Sequence, residues 1–391
     1  MKNYEQPLIV SLEQGFTYSL DSNAAYDLNE SIGMNMVSAV VPGADIVLDS
    51  TVGYNQAAKA SHSATAFKSV MATKLEGMIK SANKRLEIAL LYGNDKIASA
   101  SLQTVTIANS MLPLVIDSKE WATGIFAGME GTNVVFAKSS DLTAVDSLRS
   151  FKIAKVDVEA KTIYLAVGTA GTPGTLTTLQ TAIQAFACNM YFYGAVSGSA
   201  GTFAFSEMAG LKKIITNTGS LFGVDSSVYN LWKGNTISAG SAVLTMDKVV
   251  QAIGKAVQKG LDEDVVCLVN PSTWADLASN LAALRKFDGS YSRKKGTNGV
   301  EELEYASQNG TVKIVAYNLV KEGDCFIFPP SKAMRIGARE LSLNDPTRGQ
   351  DEIFFHIPGK AGIGIRAYTN QALFIEAPCQ CVYINNIVNS L

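Results

Sequence analysis

The longest regular pattern of apolar residues in the chain lies between residues 63 and 92. Apolar side chains recur there at intervals of three and four, the spacing of one α-helical face. Ser63 or Thr65 can cap the start, and Gly93-Asn94 supplies a left-handed stop. No second long helix is predicted, so this helix must lie on a sheet or on another copy of the chain. Its apolar positions are Phe67, Val70, Met71, Leu75, Met78, Ile79, Ala82, Leu86 and Ala89, and its exposed side is basic, with Lys68, Lys74, Lys80, Lys84 and Arg85.

The segment before this helix carries two apolar, β-branched stretches. They predict a long β-hairpin within residues 31–62, with strands near 34–41 and 45–52 joined at Pro42-Gly43-Ala44. An isolated hairpin is marginally stable in water, so it needs a surface to lie on. A solvated flap is the plainer alternative. We favour docking against a basic neighbour, because no Lys or Arg occurs between Lys2 and Lys59, where the acids are Glu5, Glu13, Asp21, Asp27, Glu30, Asp45 and Asp49.

The region after the helix is predicted to be first β-rich and then mixed. A strand is expected at 102–108, followed by a β-rich segment over 117–196 with short strands at 125–126 and 134–136. From about residue 205 the pattern becomes α/β, with helices beginning at Thr245 and Ser272. Further strands are predicted at 151–158, 162–167, 265–269, 311–317, 325–328, 334–336, 353–356, 363–367, 372–376 and 379–384.

The composition favours a protein that hides surface against partners. Charged residues make up 17% of the 391 residues, against about 25% in an average soluble domain. No apolar run reaches the ~18 residues of a membrane span, and the first residues do not resemble a signal peptide. The net charge of −2 gives no basic footprint for gripping nucleic acid. We therefore expect an obligate assembly, in which the interfaces between subunits are as apolar as the core of a domain.

The search for chemistry yields weak candidates only. The chain has two histidines, His62 and His356, and neither lies near a Cys or paired acids in sequence, so we interpret His356 as structural. Ser199 lacks nucleophile-elbow spacing and fits a linker. The Gly362–Ala367 stretch imitates a dinucleotide fingerprint, but a strand pattern follows it. We predict no catalytic, cofactor-binding or metal site.

The cysteines are odd in number and scattered. Their spacing matches neither a zinc site nor a redox motif. Cys379-x-Cys381 would place two thiols on one strand face, where they could bind a metal, but buried free thiols are the favoured interpretation. The five are Cys188, Cys267, Cys325, Cys379 and Cys381.

The order of these elements resembles the major capsid proteins of tailed bacteriophages, which share the Hong Kong 97-like capsid fold, an α+β architecture. The likeness covers nearly the whole chain and rests on packing patterns rather than catalytic motifs. The segments that carry it are Leu86-Glu-Ile-Ala-Leu-Leu-Tyr-Gly93, Cys267-Leu-Val-Asn-Pro-Ser-Thr-Trp-Ala-Asp-Leu277, Tyr368-Thr-Asn-Gln-Ala-Leu-Phe-Ile-Glu-Ala-Pro378, Glu207-Met-Ala-Gly-Leu211 and Gly223-Val-Asp-Ser-Ser-Val-Tyr229.

The resemblance implies a division of the chain into arm, loop and domains. The β-rich stretch departs from the minimal family pattern and is interpreted as an inserted subdomain. The implied ranges are 1–30 for an N-terminal arm, 31–62 for an extended β-hairpin loop, 63–116 for a peripheral domain with a spine helix, 117–204 for the insertion, 205–345 for an α/β axial domain, and 346–391 for the C-terminal strands of the peripheral domain.

The implied function is structural. The chain would assemble into hexamers and pentamers of an icosahedral shell that encloses double-stranded DNA without sequence-specific binding. The extended loop and N-arm would dock on neighbouring subunits. Further expected partners are a separate scaffolding protein, a portal and a decoration protein, with no membrane. The protein would be made in the bacterial host cytoplasm and end in the virion capsid.

Covalent cross-linking and two other functions were also weighed. Some family members join a lysine of the extended loop to an asparagine of a neighbour, but residues 31–58 contain no lysine, so a non-covalent shell is expected. A tail or baseplate component is a first alternative, although a long helix followed by α/β elements differs from mostly-β tail tubes. An α/β enzyme is a second alternative, but the sequence lacks a cluster of ionisable residues that could form an active site.

Overall fold

A computed structural model describes residues 4–20, 25–53, 64–198, 204–284, 303–307, 310–344, 353–359 and 362–390. Several positions discussed above lie outside these described residues. They are Lys2, Asp21, His62, Ser63, Ser199 and the end of the predicted extended loop, residues 54–62.

The predicted long helix is present as α1. It is followed by two short helices and then by the α/β helices, of which those predicted from Thr245 and Ser272 are found. The segment 125–126, predicted as strand, is helical instead. The helices are α1 Ala64–Tyr92, α2 Thr123–Phe126, α3 Leu176–Ala185, α4 Leu211–Ile215, α5 Met246–Val257 and α6 Pro271–Leu284.

Within the described residues, the strands form three larger sheets and three two-stranded pairs. Most predicted strands are found, but 363–367 and 372–376 belong to one continuous strand. The strands are β1 Tyr4–Ser11, β2 Asn35–Val41, β3 Ala44–Gly53, β4 Ala98–Ala100, β5 Leu112–Val115, β6 Asn133–Lys138, β7 Phe151–Asp157, β8 Thr162–Val167, β9 Cys188–Phe192, β10 Val196–Ser197, β11 Ala204–Phe205, β12 Ser220–Leu221, β13 Val224–Asp225, β14 Asn235–Ala242, β15 Val265–Val269, β16 Leu303–Ser307, β17 Gly310–Ala316, β18 Cys325–Phe328, β19 Ala333–Ser342, β20 Phe354–His356, β21 Gly362–Ile375 and β22 Val382–Ile387.

The helix α1 lies on a sheet, which is one of the two supports predicted for a solitary long helix. That sheet is built around β21, which pairs with β19 and β20 along one edge and with β3 along the other. Met78 and Ala82 of α1 are buried against Ile365 and Ala367 of β21. Further along, α1 ends at Gly93, whose N–H donates to the Ala89 carbonyl oxygen at 2.8 Å.

The predicted hairpin over 31–62 is wrong in its pairing. Both strands exist, but β2 pairs with β1 and β3 pairs with β21 over ten residues. The chain changes sheet at Pro42-Gly43. The two strands are buried in different places. Ala39 and Val41 of β2 pack against Trp232 and Phe374, whereas β3 pairs with β21 in the sheet that lies beneath α1. A two-stranded hairpin would leave both faces to water.

The β-rich region forms a six-stranded sheet in the order β4-β9-β6-β7-β8-β5. Its hairpin β7–β8 is found as predicted. The strand predicted over 102–108 is absent, and the Val105 carbonyl instead accepts hydrogen bonds from the side-chain amides of Gln180 and Gln184 at 2.8 Å. The sheet begins before residue 117 and shares one apolar core with the end of α1, so the limits 117–204 for an insertion stay a prediction.

The α/β region is a six-stranded sheet in the order β14-β22-β18-β15-β17-β16. Its core contains Val249 and Ile253 of α5 and Cys267 and Val269 of β15. The C-terminal strand β22 lies inside this sheet, parallel to β14 and antiparallel to β18. The domain boundary at 345/346 therefore stays a prediction, and the last strand packs with the region that precedes that boundary.

Candidate assembly surface

The strands β1 and β2 form an antiparallel ribbon, and we call residues 4–41 the arm. The base of the arm is fixed to the rest of the chain. Leu8, Ala39 and Val41 are buried in a small core with Trp232 and Phe374, and the Val40 N–H donates to the Phe222 carbonyl oxygen at 2.8 Å. The base is thus part of the folded body.

The other end of the arm, residues 12–34, is called the arm tip. It is held as a loop by local hydrogen bonds rather than by a core. Gln14 and Ile32 exchange backbone hydrogen bonds of 2.9 and 3.3 Å. The Asn29 N–H donates to Thr17 Oγ1 at 2.8 Å, and Asn29 Nδ2 donates to the Phe16 carbonyl oxygen at 2.8 Å. These hydrogen bonds fix the backbone of the arm tip, but they do not bury its apolar side chains.

The arm tip exposes an unusual amount of apolar surface. Tyr18 is 88% exposed and Leu28 80% exposed. Isolated exposed apolar residues are ordinary, but so many of them along one segment indicate an interaction surface. The exposed large apolar residues of the described arm are Ile9, Leu12, Phe16, Tyr18, Leu20, Tyr26, Leu28, Ile32, Met34 and Met36.

A groove lies near the arm base, beyond Pro42-Gly43, where the chain passes from the β1–β2 ribbon to the sheet built around β21. Its cavity volume is about 380 Å³. One wall is Ile46, Val47 and Leu48 of β3, and the second is the face of α1 that carries Lys84 and Arg85. The remaining lining residues are Ser81, Ala82, Ile88, Gly128, Met129, Glu130, Thr132 and Phe192. We call it the β3–α1 groove.

The basic face predicted for α1 is only partly exposed. Lys84 Nζ donates to the Ala127 carbonyl oxygen at 2.5 Å, and the Arg85 guanidinium lies 3.1 Å from the centre of the Phe192 ring. Both side chains therefore contact the β-rich region. Lys74 Nζ donates to the Thr51 carbonyl oxygen of β3 at 2.9 Å. Sequence spacing assigned these cations to solvent because it cannot see the sheet that packs beside the helix.

A buried cluster of charges joins α1, α4 and the β-rich region. Lys321 is fully buried, and its Nζ lies 2.6 Å from Glu120 Oε2. Glu120 Oε1 also pairs with Lys96 Nζ at 2.9 Å, and Lys212 Nζ lies 3.1 Å from Asp95 Oδ2. Burial opposes ionisation of Glu120, but the surrounding lysines hold its pKa below the usual range. The cluster is structural, with each named charge facing an opposite one.

The other end of the same cluster is Asp324. Its Oδ1 accepts a hydrogen bond of 2.6 Å from the Tyr383 hydroxyl, and Lys212 Nζ lies 3.9 Å from its Oδ2. Burial raises the pKa of the Asp324 carboxyl, while Lys212 and Lys321 oppose that rise. No sequence pattern pointed to this cluster, because it joins distant segments: Glu120 and Lys321 are separated by 201 positions in the chain.

A polar cavity of about 710 Å³ opens beside the cluster, lined by both charges and amides. Its ionisable groups are already paired: Lys161 Nζ lies 2.5 Å from Glu322 Oε2, and Lys119 Nζ donates to Ser241 Oγ at 2.9 Å. Asp117 Oδ1 accepts from the Ser101 hydroxyl at 2.7 Å. The hydrogen bonds and ion pairs that line this cavity therefore join two parts of the fold.

The weak sequence candidates are placed as follows. All five cysteines are buried and free, which confirms the favoured interpretation. Cys379 lies in a 3₁₀ turn rather than on a strand, so it does not share a strand face with Cys381. The Gly362–Ala367 stretch is strand, as expected.

His356 is exposed on the edge strand β20, and its interpretation as a structural histidine stays a prediction. Phe355 is the inward-facing residue of β20 and stacks under Arg366. Within the described ranges, no group of three His, Cys, Asp or Glu side chains is arranged to hold a metal. No helix in that part of the chain is long and apolar enough to cross a membrane.

Comparison with known proteins gives a consistent result. The family model described as SU10 major capsid protein matches residues 189–336. No curated protein matches the sequence. Among solved structures, the capsid asymmetric unit of Cyanophage A-1(L) aligns with a TM-score of 0.53 at 9% identity, over 99% of this chain and 88% of that one.

Two further solved capsids align over nearly the full chain with lower scores. The capsid of a native GTA particle gives a TM-score of 0.47 at 8% identity, over 99% of this chain and 86% of that one. Mycobacterium phage Adephagia gives 0.42 at 10% identity, over 98% and 85%.

The mixed α/β fold is that of the Hong Kong 97-like phage capsid proteins, which confirms the predicted fold class. The class of protein predicted from the sequence is also confirmed. The family match over residues 189–336 and the capsid fold over nearly the whole chain support the predicted class, the major capsid proteins of tailed phages, which are structural proteins of the virion.

Proposed function

We propose that the chain builds an icosahedral shell of hexamers and pentamers around double-stranded DNA, and that its arm docks on neighbouring subunits. The observation that carries this proposal is the exposed apolar arm tip. Surface of that kind on a protein poor in charge is stable in water only when a partner covers it. Identical subunits that each donate an arm and accept another form heterologous contacts, which close into rings.

The charge distribution supports enclosure of DNA without sequence reading. The net charge is −2, and phosphate-binding surfaces need many Lys and Arg side chains. A mildly acidic inner surface of the shell would not bind the packed DNA. A separate scaffolding protein, a portal and a decoration protein are proposed as further partners, and synthesis in the host cytoplasm is proposed as well.

The segment to delete as a test is set by the structure. Removal of 31–58 would take away β2 and β3, which belong to the folded body, so it would unfold the chain rather than leave a folded monomer. Replacement of residues 12–34 by an Asn-Gly turn between Ser11 and Asn35 removes the arm tip alone. The register of β1 and β2 places Ser11 opposite Asn35, and Asn-Gly suits a tight hairpin turn.

We expect this tip-deleted protein to fold and to remain unassembled. Negative-stain electron microscopy and sedimentation velocity measure assembly, and circular dichroism measures folding. A matched control replaces the exposed residues Glu159 and Ala160 of the turn between β7 and β8 by Asn and Gly, which keeps the Lys161–Glu322 ion pair and should leave assembly intact. Normal round shells from the tip-deleted protein would refute the proposal, and tubes from the wild-type chain would favour a tail component.

A further inference from the structure

Two of the buried cysteines face each other across neighbouring strands of the α/β sheet. Strands β15 and β18 are antiparallel, and their register pairs Cys267 with Ile327 and Val269 with Cys325. The two cysteines are therefore offset by two positions, which places both side chains on the same face of the sheet. Their Sγ atoms lie 3.4 Å apart. A disulfide bond is about 2.05 Å long, so the two sulfur atoms would need to approach each other by about 1.4 Å.

The other cysteines have different partners. The Sγ atoms of Cys188, Cys379 and Cys381 each donate to a backbone carbonyl oxygen, at 3.7, 3.9 and 3.8 Å respectively. Among the described residues, a hydrogen-bond contact between two sulfur atoms is found only at Cys267 and Cys325. We call these two residues the cysteine pair. A thiol that already touches a second thiol is placed to be joined to it after oxidation.

We propose that the cysteine pair is a site of covalent modification, at which a peroxide converts the two thiols into a disulfide bond that joins β15 to β18. The first sulfur attacks hydrogen peroxide, so the O–O bond breaks, an S–O bond forms and one water leaves. The second sulfur attacks the resulting sulfenic acid, so the S–O bond breaks, the S–S bond forms and a second water leaves. The two thiols lose two electrons, the peroxide gains them, and both thiol protons end in water.

The position of the cysteine pair determines what the bond would do. Strands β15 and β18 are the two central strands of the six-stranded sheet, and the two cysteines are separated by 58 positions. Closing a loop of this length restricts the unfolded chain and so favours the folded one. Bacterial cytoplasm keeps such thiols reduced, so the bond forms after a particle has left the cell. The pair lies within one chain, and this inference therefore goes beyond the proposed function and does not depend on it.

Burial controls the rate of the reaction. Both side chains are 0% exposed, and they share their core with Val249 of α5 and Leu277 of α6. The thiolate is the reactive form of cysteine, and the contact with Cys267 together with burial raises the pKa of Cys325 well above its usual value. The closed chain should therefore react slowly. Local opening of the helices over the sheet would expose the pair, and a small uncharged oxidant needs little opening.

Thiol mapping tests the inference. The purified chain is treated with hydrogen peroxide, with and without urea below its unfolding midpoint, and remaining thiols are capped with N-ethylmaleimide after full denaturation. Of the five cysteines, three should be capped, and a dithiothreitol-sensitive peptide should join Cys267 to Cys325. Urea should speed the reaction. The oxidised chain should unfold at higher urea than the reduced one, with an unfolding equilibrium constant lower by about 30-fold or more.

Two variants separate the disulfide from other effects of peroxide, such as methionine oxidation. Cys325→Ala should lose both the linked peptide and the gain in stability, whereas the matched control Cys188→Ala should keep both. Five capped thiols in the oxidised wild type would overturn the inference, and so would a Cys379–Cys381 link in place of the proposed one. A link that leaves the urea midpoint unchanged, or an equal gain in Cys325→Ala, would overturn the stabilising role. The wild-type peptide map decides the linkage even if Cys325→Ala folds poorly.

Discussion

Replacing Glu120 by glutamine should destabilise the folded chain by about 3–5 kcal/mol, the cost of breaking a buried ion pair from one side. The structure sets the magnitude. Lys321 is fully buried, and its ammonium lies 2.6 Å from Glu120 Oε2. Loss of the carboxylate leaves this ammonium without its closest counter-charge. The second partner, Lys96, is 26% exposed at its side chain, so its pairing adds little, and the lower end of the range is expected.

Removing both charges should restore part of the stability. In the double variant Glu120→Gln/Lys321→Met, the methionine follows the alkyl stem of the lysine, whose end lies 4.4 Å from the centre of the Tyr92 ring. No uncompensated buried ammonium then remains. We expect the double variant to be more stable than Glu120→Gln alone, with a coupling energy of about 1–3 kcal/mol.

Urea unfolding followed by tryptophan fluorescence measures these differences. Trp121 is the next residue and is buried, so it reports on the region. Glu159→Gln, an exposed site, serves as control and should change stability by less than about 0.5 kcal/mol. If Glu120→Gln cost no more than this control, or if Lys321→Met gave no rescue, the cluster would not stabilise the fold as argued.

The same carboxylate predicts a dependence on pH. The pKa of Glu120 is lower in the folded chain than its usual value. A depressed pKa contributes stability that is fully present above the unfolded value of about 4.3 and is lost as pH falls towards the folded value. Wild-type stability should therefore decline below about pH 4, and Glu120→Gln should flatten that decline in acid titrations of the urea midpoint.

Three further predictions concern the arm base, the end of α1 and the assembled particle. Phe374→Ala removes a buried ring whose centre lies 6.2 Å from that of Trp232, so the free energy of unfolding should fall by about 3–5 kcal/mol. A loss below about 1 kcal/mol would show that this small core does not stabilise the folded chain. Gly93→Ala would put a Cβ 2.3 Å from the Met208 carbonyl oxygen, so its thermal midpoint should drop, whereas Gly77→Ala, with open space around it, should not lower it. Because residues 31–58 contain no lysine, boiled particles should run as monomers on denaturing gels, and a ladder of multiples would show covalent linkage.

Local sequence determined the elements whose cause is local. The apolar spacing of residues 63–92 fixed a helix before any partner was known, and Gly93-Asn94 fixed its end, where Asn94 has φ 62°. The solitary helix also required a surface to lie on, either a sheet or another copy of the chain. Alternation and turn residues likewise predicted β7 and β8, whose pairing needs only a short turn. The class of protein followed from the order of such elements.

Tertiary structure alone decided which strands pair and which surfaces stay open. The sequence of β2 and β3 suits a hairpin, but burial against Phe374 and under α1 sends them to different sheets. The sequence pattern also did not indicate the exposed apolar side chains of the arm tip. The charges of Asp95, Glu120 and Lys321 meet only because distant segments pack together. Local propensity is summed within a few residues, whereas burial and charge pairing depend on neighbours that the chain brings in from far away.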